Sequence, residues 1–215
     1  MVKLTFFILT MLALTMSCNN KGQKEHKSAT NNITGSQLET TEIDCDTVYK
    51  NKGYKITLTK FDTTVSEFDT TYNTIFTLKK NNEITFSDSI HNAYQNIFDF
   101  RDFNGDNVKD ILIQNTSSAR SNLTYTLYLV DTLNDKLRKV KGFEQIPNPD
   151  YLAEYDIIDN YVLSGKNWTG FYKIQGDTII DFDILIEDDL SDSSLYEQEH
   201  KNAIKRIMKT IKNNR

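Results

Sequence analysis

Apolar residues alternate with polar ones over several short segments in the middle of the chain. The clearest alternation runs through residues 124–130, where Tyr125, Leu127 and Leu129 share one side. A period of two is typical of a strand that buries one face. Similar short segments occur at residues 54–58, 74–80, 83–87, 110–114, 136–143, 155–158, 161–164, 171–175 and 178–186. Their shortness and regular spacing predict a mainly β, antiparallel domain.

Two pairs of these segments are separated by residues that favour tight turns. Asn81 and Asn82 separate one pair, and Gly176 and Asp177 separate another. Asn and Gly accept the positive φ angle that two-residue hairpin turns require. The sequence therefore predicts a β-hairpin at each position.

Near the C-terminus the apolar period changes to that of a helix. Its apolar positions are Ile204, Ile207, Met208 and Ile211. This spacing predicts an amphipathic helix over about 194–212, and the pair Ser194 and Glu197 predicts a capping box at its start. We expect the isoleucine stripe to pack on the sheet. The alternative is a basic helix that lies on a membrane surface.

The first 42 residues have a different pattern. Lys3 precedes an apolar run at residues 4–14, and Cys18 follows the small residue Ser17. This succession predicts a secretory signal peptide over residues 1–17. Residues 18–42 are rich in Asn, Lys, Thr and Ser and predict a flexible tether. The folded domain is then expected at residues 43–215.

The position of Cys18 resembles the bacterial lipobox, whose cysteine is lipidated before the signal is cleaved. The resemblance implies a lipoprotein held by its lipid in the cell envelope, in the outer membrane, facing the periplasm or the cell surface. The alternative is an ordinary signal peptide that contains a cysteine.

Composition narrows the function classes. The chain is 38% hydrophobic with a net charge of −5, which suits a soluble globular domain without a nucleic-acid partner. Cys45 is the only cysteine after Cys18, so no internal disulfide is expected. No Gly-x-Ser-x-Gly, His-Glu-x-x-His or Gly-rich phosphate motif occurs. An enzyme is therefore not predicted.

Residues 102–110 (DFNGDNVKD) contain closely spaced side chains that could bind a metal ion. Oxygen donors stand at alternate positions, from Asp102, Asn104, Asp106, the carbonyl of Val108, and Asp110. This is the ligand spacing of a calcium loop, and Asn107 stands where such a loop requires a positive φ. Three carboxylates so close together repel one another unless a cation neutralises them. The sequence predicts a structural calcium ion; the alternative is an acidic turn without an ion.

The loop and the DILI strand that follows it resemble the calcium loop of FG-GAP repeats. Three further motifs follow along the chain: the Asn/Tyr segment at 122–129, the Pro-Asn-Pro turn at 147–149 and the aromatic hairpin at 171–176. Their order resembles the order of motifs in a family of bacterial periplasmic lipoproteins with one calcium site. Members from Xanthomonas are immunity proteins against lysozyme-like toxins. The resemblance implies a propeller-like β domain, partial or degenerate in form.

The same resemblance implies a protein-binding module with a muramidase-like toxin as partner. The candidate contact residues are Ser117, Ser118, Arg120 and Asn122. Arg120 is of interest because an arginine can pair with the two carboxylates that muramidases use. The alternative function is a surface accessory lipoprotein for glycan or nutrient binding, with Trp168 and Tyr172 as candidate aromatic contacts.

Overall fold

The computed structural model describes residues 39–61, 71–92, 97–117, 120–188, 190 and 192–213. The predicted signal peptide, the lipidation site Cys18 and most of the predicted tether lie outside these residues. None of the helices in the described part of the chain combines the length and the apolar character needed to cross a membrane.

Strands dominate the described residues, and one α-helix ends them. The strands are β1 (Glu39–Asp44), β2 (Tyr54–Lys60), β3 (Thr74–Lys80), β4 (Glu83–Ile90), β5 (Phe98–Arg101), β6 (Asp110–Ser117), β7 (Leu123–Asp131), β8 (Lys136–Lys139), β9 (Pro149–Leu152), β10 (Ile157–Val162), β11 (Asn167–Gln175) and β12 (Thr178–Asp188). The helix α1 is Ser193–Asn213, and a short 3-10 helix, Phe143–Gln145, lies between β8 and β9.

The strands form three four-stranded antiparallel sheets, β1–β4, β5–β8 and β9–β12, each made of consecutive strands. The mainly β, antiparallel class with a C-terminal helix is therefore confirmed. The predicted tight turns are confirmed as well: Asn81 and Asn82 have φ values of 50° and 70°, and Gly176 has a φ of 63°.

The middle sheet buries both of its faces. Ile111 and Ile113 of β6 pack in a cluster with the first sheet, whereas Leu112 packs in a cluster with the third. Successive side chains of a strand point to opposite faces, so a strand buried on both sides is a continuous apolar run. Polar contacts add to the packing, because Asp88 of the first sheet accepts hydrogen bonds from Tyr128 at 2.7 Å and Lys139 at 2.8 Å.

The third sheet is covered on its other face by α1. Ile157 and Phe171 of this sheet share a cluster with Ala203, Ile204 and Ile207 of the helix. The expected packing of the isoleucine stripe on the sheet is therefore confirmed. The layers follow one another as sheet, sheet, sheet and helix.

The outer face of the first sheet carries charged side chains together with the exposed isoleucines Ile75 and Ile84. Glu42 forms ion pairs with Lys55 at 3.4 Å and with Lys79 at 3.5 Å on this face. The stack therefore has a solvent-exposed sheet face at one end and a helix at the other.

Several predicted boundaries are wrong. β1 begins at Glu39, so residues 39–42 of the predicted tether pair with β2. The predicted strand at 136–143 ends at Lys139, because Gly142 has a φ of 84° and begins the 3-10 helix. The segments predicted at 155–158 and 161–164 overlap one continuous strand, β10 (Ile157–Val162), and residues 155, 156, 163 and 164 lie outside it.

The start of α1 also differs from the prediction. The Oδ1 atom of Asp192 accepts hydrogen bonds from the backbone N–H groups of Ser194 at 2.9 Å and Leu195 at 3.3 Å. Asp192 is therefore the N-terminal cap, and the predicted capping box of Ser194 and Glu197 is wrong. The predicted span of about 194–212 nevertheless lies within one residue of each observed end.

Candidate metal centre

The loop at residues 102–110, called here the calcium loop, joins β5 to β6 at one end of the middle sheet. Asn107 has a φ of 65° and Gly105 has a φ of 73°. The positive φ predicted for Asn107 is therefore confirmed. Two left-handed residues so close together turn the chain into a tight coil.

The carboxylates of the loop bind its own backbone. The Oδ1 atom of Asp102 accepts hydrogen bonds from the N–H groups of Asn104 at 3.1 Å and Gly105 at 2.7 Å, and its Oδ2 atom accepts one from Asn107 at 2.8 Å. Asp106 accepts one from the N–H group of Val108 at 2.7 Å. Bonds from a short side chain to nearby backbone N–H groups stabilise a turn in place of regular secondary structure.

Asp110 differs from the other loop carboxylates because it is fully buried, with an exposed fraction of 0%. Its two oxygens accept hydrogen bonds from the N–H groups of Phe103 at 2.8 Å and Val130 at 3.0 Å. Burial raises the pKa of the Asp110 carboxyl to about 7; the two N–H groups lower it, and the charges of Asp106 and Asp102 raise it further.

The chemistry of the donors fits calcium, since carboxylate, amide and carbonyl oxygens are its preferred ligands. A carboxylate has about four lone-pair sites, so backbone bonds leave further oxygen capacity for a cation. Within the described residues, however, no group of three or more His, Cys, Asp or Glu side chains is arranged to hold a metal ion. Asp102, Asp106 and Asp110 would have to turn toward a common point to bind one.

Neighbouring sheets hold the loop from both sides. Tyr49, which follows β1, donates a hydrogen bond to the carbonyl of Lys109 at 2.7 Å. Tyr151 of β9 lies over Gly105, where a Cβ atom would stand only 2.9 Å from the tyrosine hydroxyl. Phe103, 1% exposed, packs in the cluster between the second and third sheets. These contacts join the loop to the whole stack.

The predicted partner-contact residues lie at the opposite end of β6. Ser117 is the last residue of β6, and Ser118 lies outside the described residues. Arg120 is exposed in the turn before β7. Asn122 binds within the domain: its amide donates to the carbonyl of Leu163 and accepts from the N–H group of Leu163, both at 2.9 Å. Asn122 therefore joins β7 to the end of β10.

The aromatic residues considered for glycan binding, Trp168 and Tyr172, both lie in β11. Tyr172 packs against the cluster between the second and third sheets. Trp168 is partly buried near the start of the same strand, β11. Tyr172 thus contributes to the core.

A groove that was not predicted from the sequence lies beside the calcium loop. Its volume is about 660 Å³. Its walls include Asn104, Asp106 and Val108 of the loop and Leu133, Lys136 and Arg138 of the β7–β8 hairpin. The only sequence signal for it is the pair of cationic residues two positions apart in β8.

Comparisons with known proteins assign no family. No family model matches the chain, and neither a curated protein nor a solved structure matches it.

Proposed function

We propose that this protein is a membrane-anchored, extracytoplasmic binding protein whose calcium loop holds a structural calcium ion. The observation that carries the calcium ion is the environment of Asp110. Its carboxylate is fully buried and forms no ion pair within the described residues. The charges that act on it are those of Asp106 and Asp102. Burying a carboxylate among like charges is unfavourable, and a bound cation offsets that penalty.

A calcium ion here would have a structural role. Asp102, Asn104, Asp106, Asp110 and the carbonyl of Val108 would supply most of its ligands, leaving little room for a substrate. The loop contacts the first and third sheets, so ordering it stabilises the junction of all three. The lipid anchor is proposed from the sequence around Cys18.

The sheet architecture supports a partial propeller. Each sheet is a meander of four consecutive strands, as each blade of a β-propeller is. The three sheets pack face to face, and α1 covers the face of the third sheet that another blade would otherwise cover. We therefore propose a propeller-like stack of three blades closed by a helix.

The resemblance also supports a muramidase as partner. Arg120 is an exposed cation in the turn before β7, and a guanidinium group can bind a carboxylate through two parallel hydrogen bonds. In this proposal the protein inhibits a lysozyme-like toxin and so confers immunity.

Calorimetric titration tests the calcium site. The full mature chain with Cys18→Ser, stripped of metal by a chelator, should bind one calcium ion and melt at a higher temperature. At about one hundred times the Kd, the gain is about 2.7 kcal/mol, or roughly 5 to 10 °C for a domain of this size. Asp106→Asn should weaken binding, whereas Asp46→Asn, in an exposed turn outside the loop, should not. An absence of both heat and thermal shift in the unsubstituted chain would refute the site.

A panel of lysozyme-type muramidases tests the partner. The calcium-loaded protein should slow at least one of them, and Arg120→Glu should relieve the inhibition without changing calcium affinity or melting temperature. If no muramidase is slowed, the immunity proposal fails while the calcium site stands.

A further inference from the structure

The groove beside the calcium loop, called here the hairpin groove, is lined by two carboxylates and two cations. Its carboxylates are already engaged. Asp106 accepts hydrogen bonds from the N–H group of Val108 at 2.7 Å and from the side-chain amide of Asn104 at 3.0 Å. Asp131 accepts bonds from the N–H group of Leu133 and from the side-chain amide of Asn134, at 3.0 Å and 2.6 Å.

The cations of the groove are not engaged in this way. Lys136 and Arg138 lie two positions apart in β8, so both project from the same face of the strand. The side chain of neither forms an ion pair or a hydrogen bond within the described residues, although the charge of Lys136 acts on Asp131 and that of Arg138 acts on Asp177 at longer range. Lys139, on the opposite face, binds Asp88 at 2.8 Å. The groove therefore presents two cations without a side-chain ion pair, and a calcium ion on the loop would offset the charge of Asp106 beside them.

The remaining walls are apolar. Leu129, only 4% exposed, and Val108 line the groove, and Leu133 at the hairpin tip is 90% exposed. No aromatic side chain of the described residues lines it. Tyr and Trp side chains provide apolar surface with a polar tip for partly wet contacts, and their absence here argues against a sugar ligand. An exposed leucine beside two cations suits a peptide with acidic and apolar side chains.

We propose that the hairpin groove binds an acidic peptide segment of a protein partner. A carboxylate of the segment meets Arg138 and Lys136, and an adjacent apolar side chain packs on Leu133. The volume of about 660 Å³ lies in the usual range for ligand sites. This inference rests on the proposed function as a binding protein and names a contact surface for it.

Calcium and the peptide should be thermodynamically linked. Asn104 and Asp106 belong both to the predicted ligand set and to the wall of the groove. An ion that orders this wall raises the affinity for the peptide, and the peptide must raise the affinity for the ion by the same factor.

A random peptide display library tests the proposal. The library is selected on the calcium-loaded full mature chain with Cys18→Ser, and the enriched peptides are synthesised and titrated by fluorescence anisotropy. We expect Asp or Glu beside Leu or Phe in the enriched peptides. Affinity should fall by about tenfold or more with Lys136→Glu and Arg138→Glu together. Lys50→Glu, the same charge change in an exposed turn outside the groove, should leave it unchanged.

Three outcomes would overturn the proposal. The enriched peptides could lack acidic residues, they could bind the doubly substituted protein as well as the unsubstituted one, or an acidic oligosaccharide such as oligogalacturonate could take the groove in their place. Calcium titration of the doubly substituted protein separates this inference from the proposed function. Retained calcium affinity with lost peptide binding supports the groove. Peptide binding without any calcium binding would refute the calcium site and support the groove as a peptide-binding surface.

Discussion

The close approach of Tyr151 to the calcium loop makes Gly105→Ala an informative substitution. Gly105 has a φ of 73°, in the left-handed region that a side chain disfavours. The new Cβ atom would lie 2.9 Å from the hydroxyl oxygen of Tyr151 and 3.9 Å from the ring carbon that carries it. Only the hydroxyl contact is too short for a Cβ atom. We expect this hydroxyl to move and to break its hydrogen bond to Asp156, which is 3.0 Å long.

The expected loss of stability has two parts. The left-handed conformation costs about 1 to 2 kcal/mol for a residue with a Cβ atom. The lost hydrogen bond of Tyr151 costs about 1 kcal/mol. Alanine also reduces the entropy of the unfolded chain, which returns about 0.4 to 1 kcal/mol. The net expectation for Gly105→Ala is a loss of about 2 kcal/mol, or roughly 4 to 8 °C in Tm.

A double-mutant cycle isolates the contact. In a Tyr151→Phe background the hydroxyl is absent, so Gly105→Ala should cost only the conformational part. The coupling free energy between the two substitutions is expected to be about 1 kcal/mol. Gly165→Ala is the matched control, because a Cβ atom there meets nothing within 4 Å. It should leave the stability nearly unchanged.

Urea denaturation, followed by the fluorescence of the single tryptophan Trp168 and by circular dichroism, measures each free energy of unfolding. Both signals should give the same midpoint if unfolding is two-state. A loss with Gly105→Ala no larger than that with Gly165→Ala would refute the reasoning. An unchanged loss in the Tyr151→Phe background would show that the tyrosine does not close over the loop.

Two further predictions concern α1. Ile207 is 1% exposed, so Ile207→Ala should lower the free energy of unfolding by about 2 to 5 kcal/mol. Lys209→Ala on the exposed side should change it by less than about 0.5 kcal/mol. Equal effects of the two substitutions in chemical denaturation would contradict the packing of the helix on the sheet. Asp192→Ala should lower the Tm more than Ser194→Ala, because Asp192 is the cap. The hydroxyl of Ser194 and the adjacent N–H groups lower the pKa of Asp192. The contribution of Asp192 to the stability of the fold is therefore present above its unfolded-state pKa of about 4. This contribution is lost as pH falls through the lowered pKa of the folded state. The Tm difference between Asp192→Ala and the unsubstituted protein should therefore shrink in acid, and a constant difference would contradict this account.

The coil of the calcium loop was predictable because its interactions are local. Asp102 binds the N–H groups of residues three and five positions further along the chain. The requirement for a positive φ at Asn107 follows from the same short segment. The hairpin turns at Asn81-Asn82 and Gly176-Asp177 were predictable for the same reason.

The start of the domain and the cap of α1 were not predictable from pattern. β1 is an edge strand with mostly exposed polar residues, so it lacks the alternation that marks a half-buried strand. At the helix start, Asp192 and Ser194 are both good capping residues. Pattern alone does not choose between them.

Contacts between distant residues decided the roles of several candidate side chains. Asn122, a predicted partner contact, binds Leu163, which lies 41 positions further along the chain. The buried carboxylate of Asp110 accepts a bond from the N–H group of Val130, 20 positions away. Neither partner has a recognisable motif, because any residue supplies backbone groups.

The sequence by itself determined the strands with alternating residues, the tight turns, the coil of the calcium loop and the apolar stripe of α1. Each of these depends on residues within a few positions of one another, where propensity and side-chain period act directly. Only the tertiary structure decided the stacking order of the sheets, the burial of Asp110, the closure of Tyr151 over Gly105 and the hairpin groove. These features arise where segments distant in the sequence come into contact, and no short stretch of sequence specifies which surfaces will face each other.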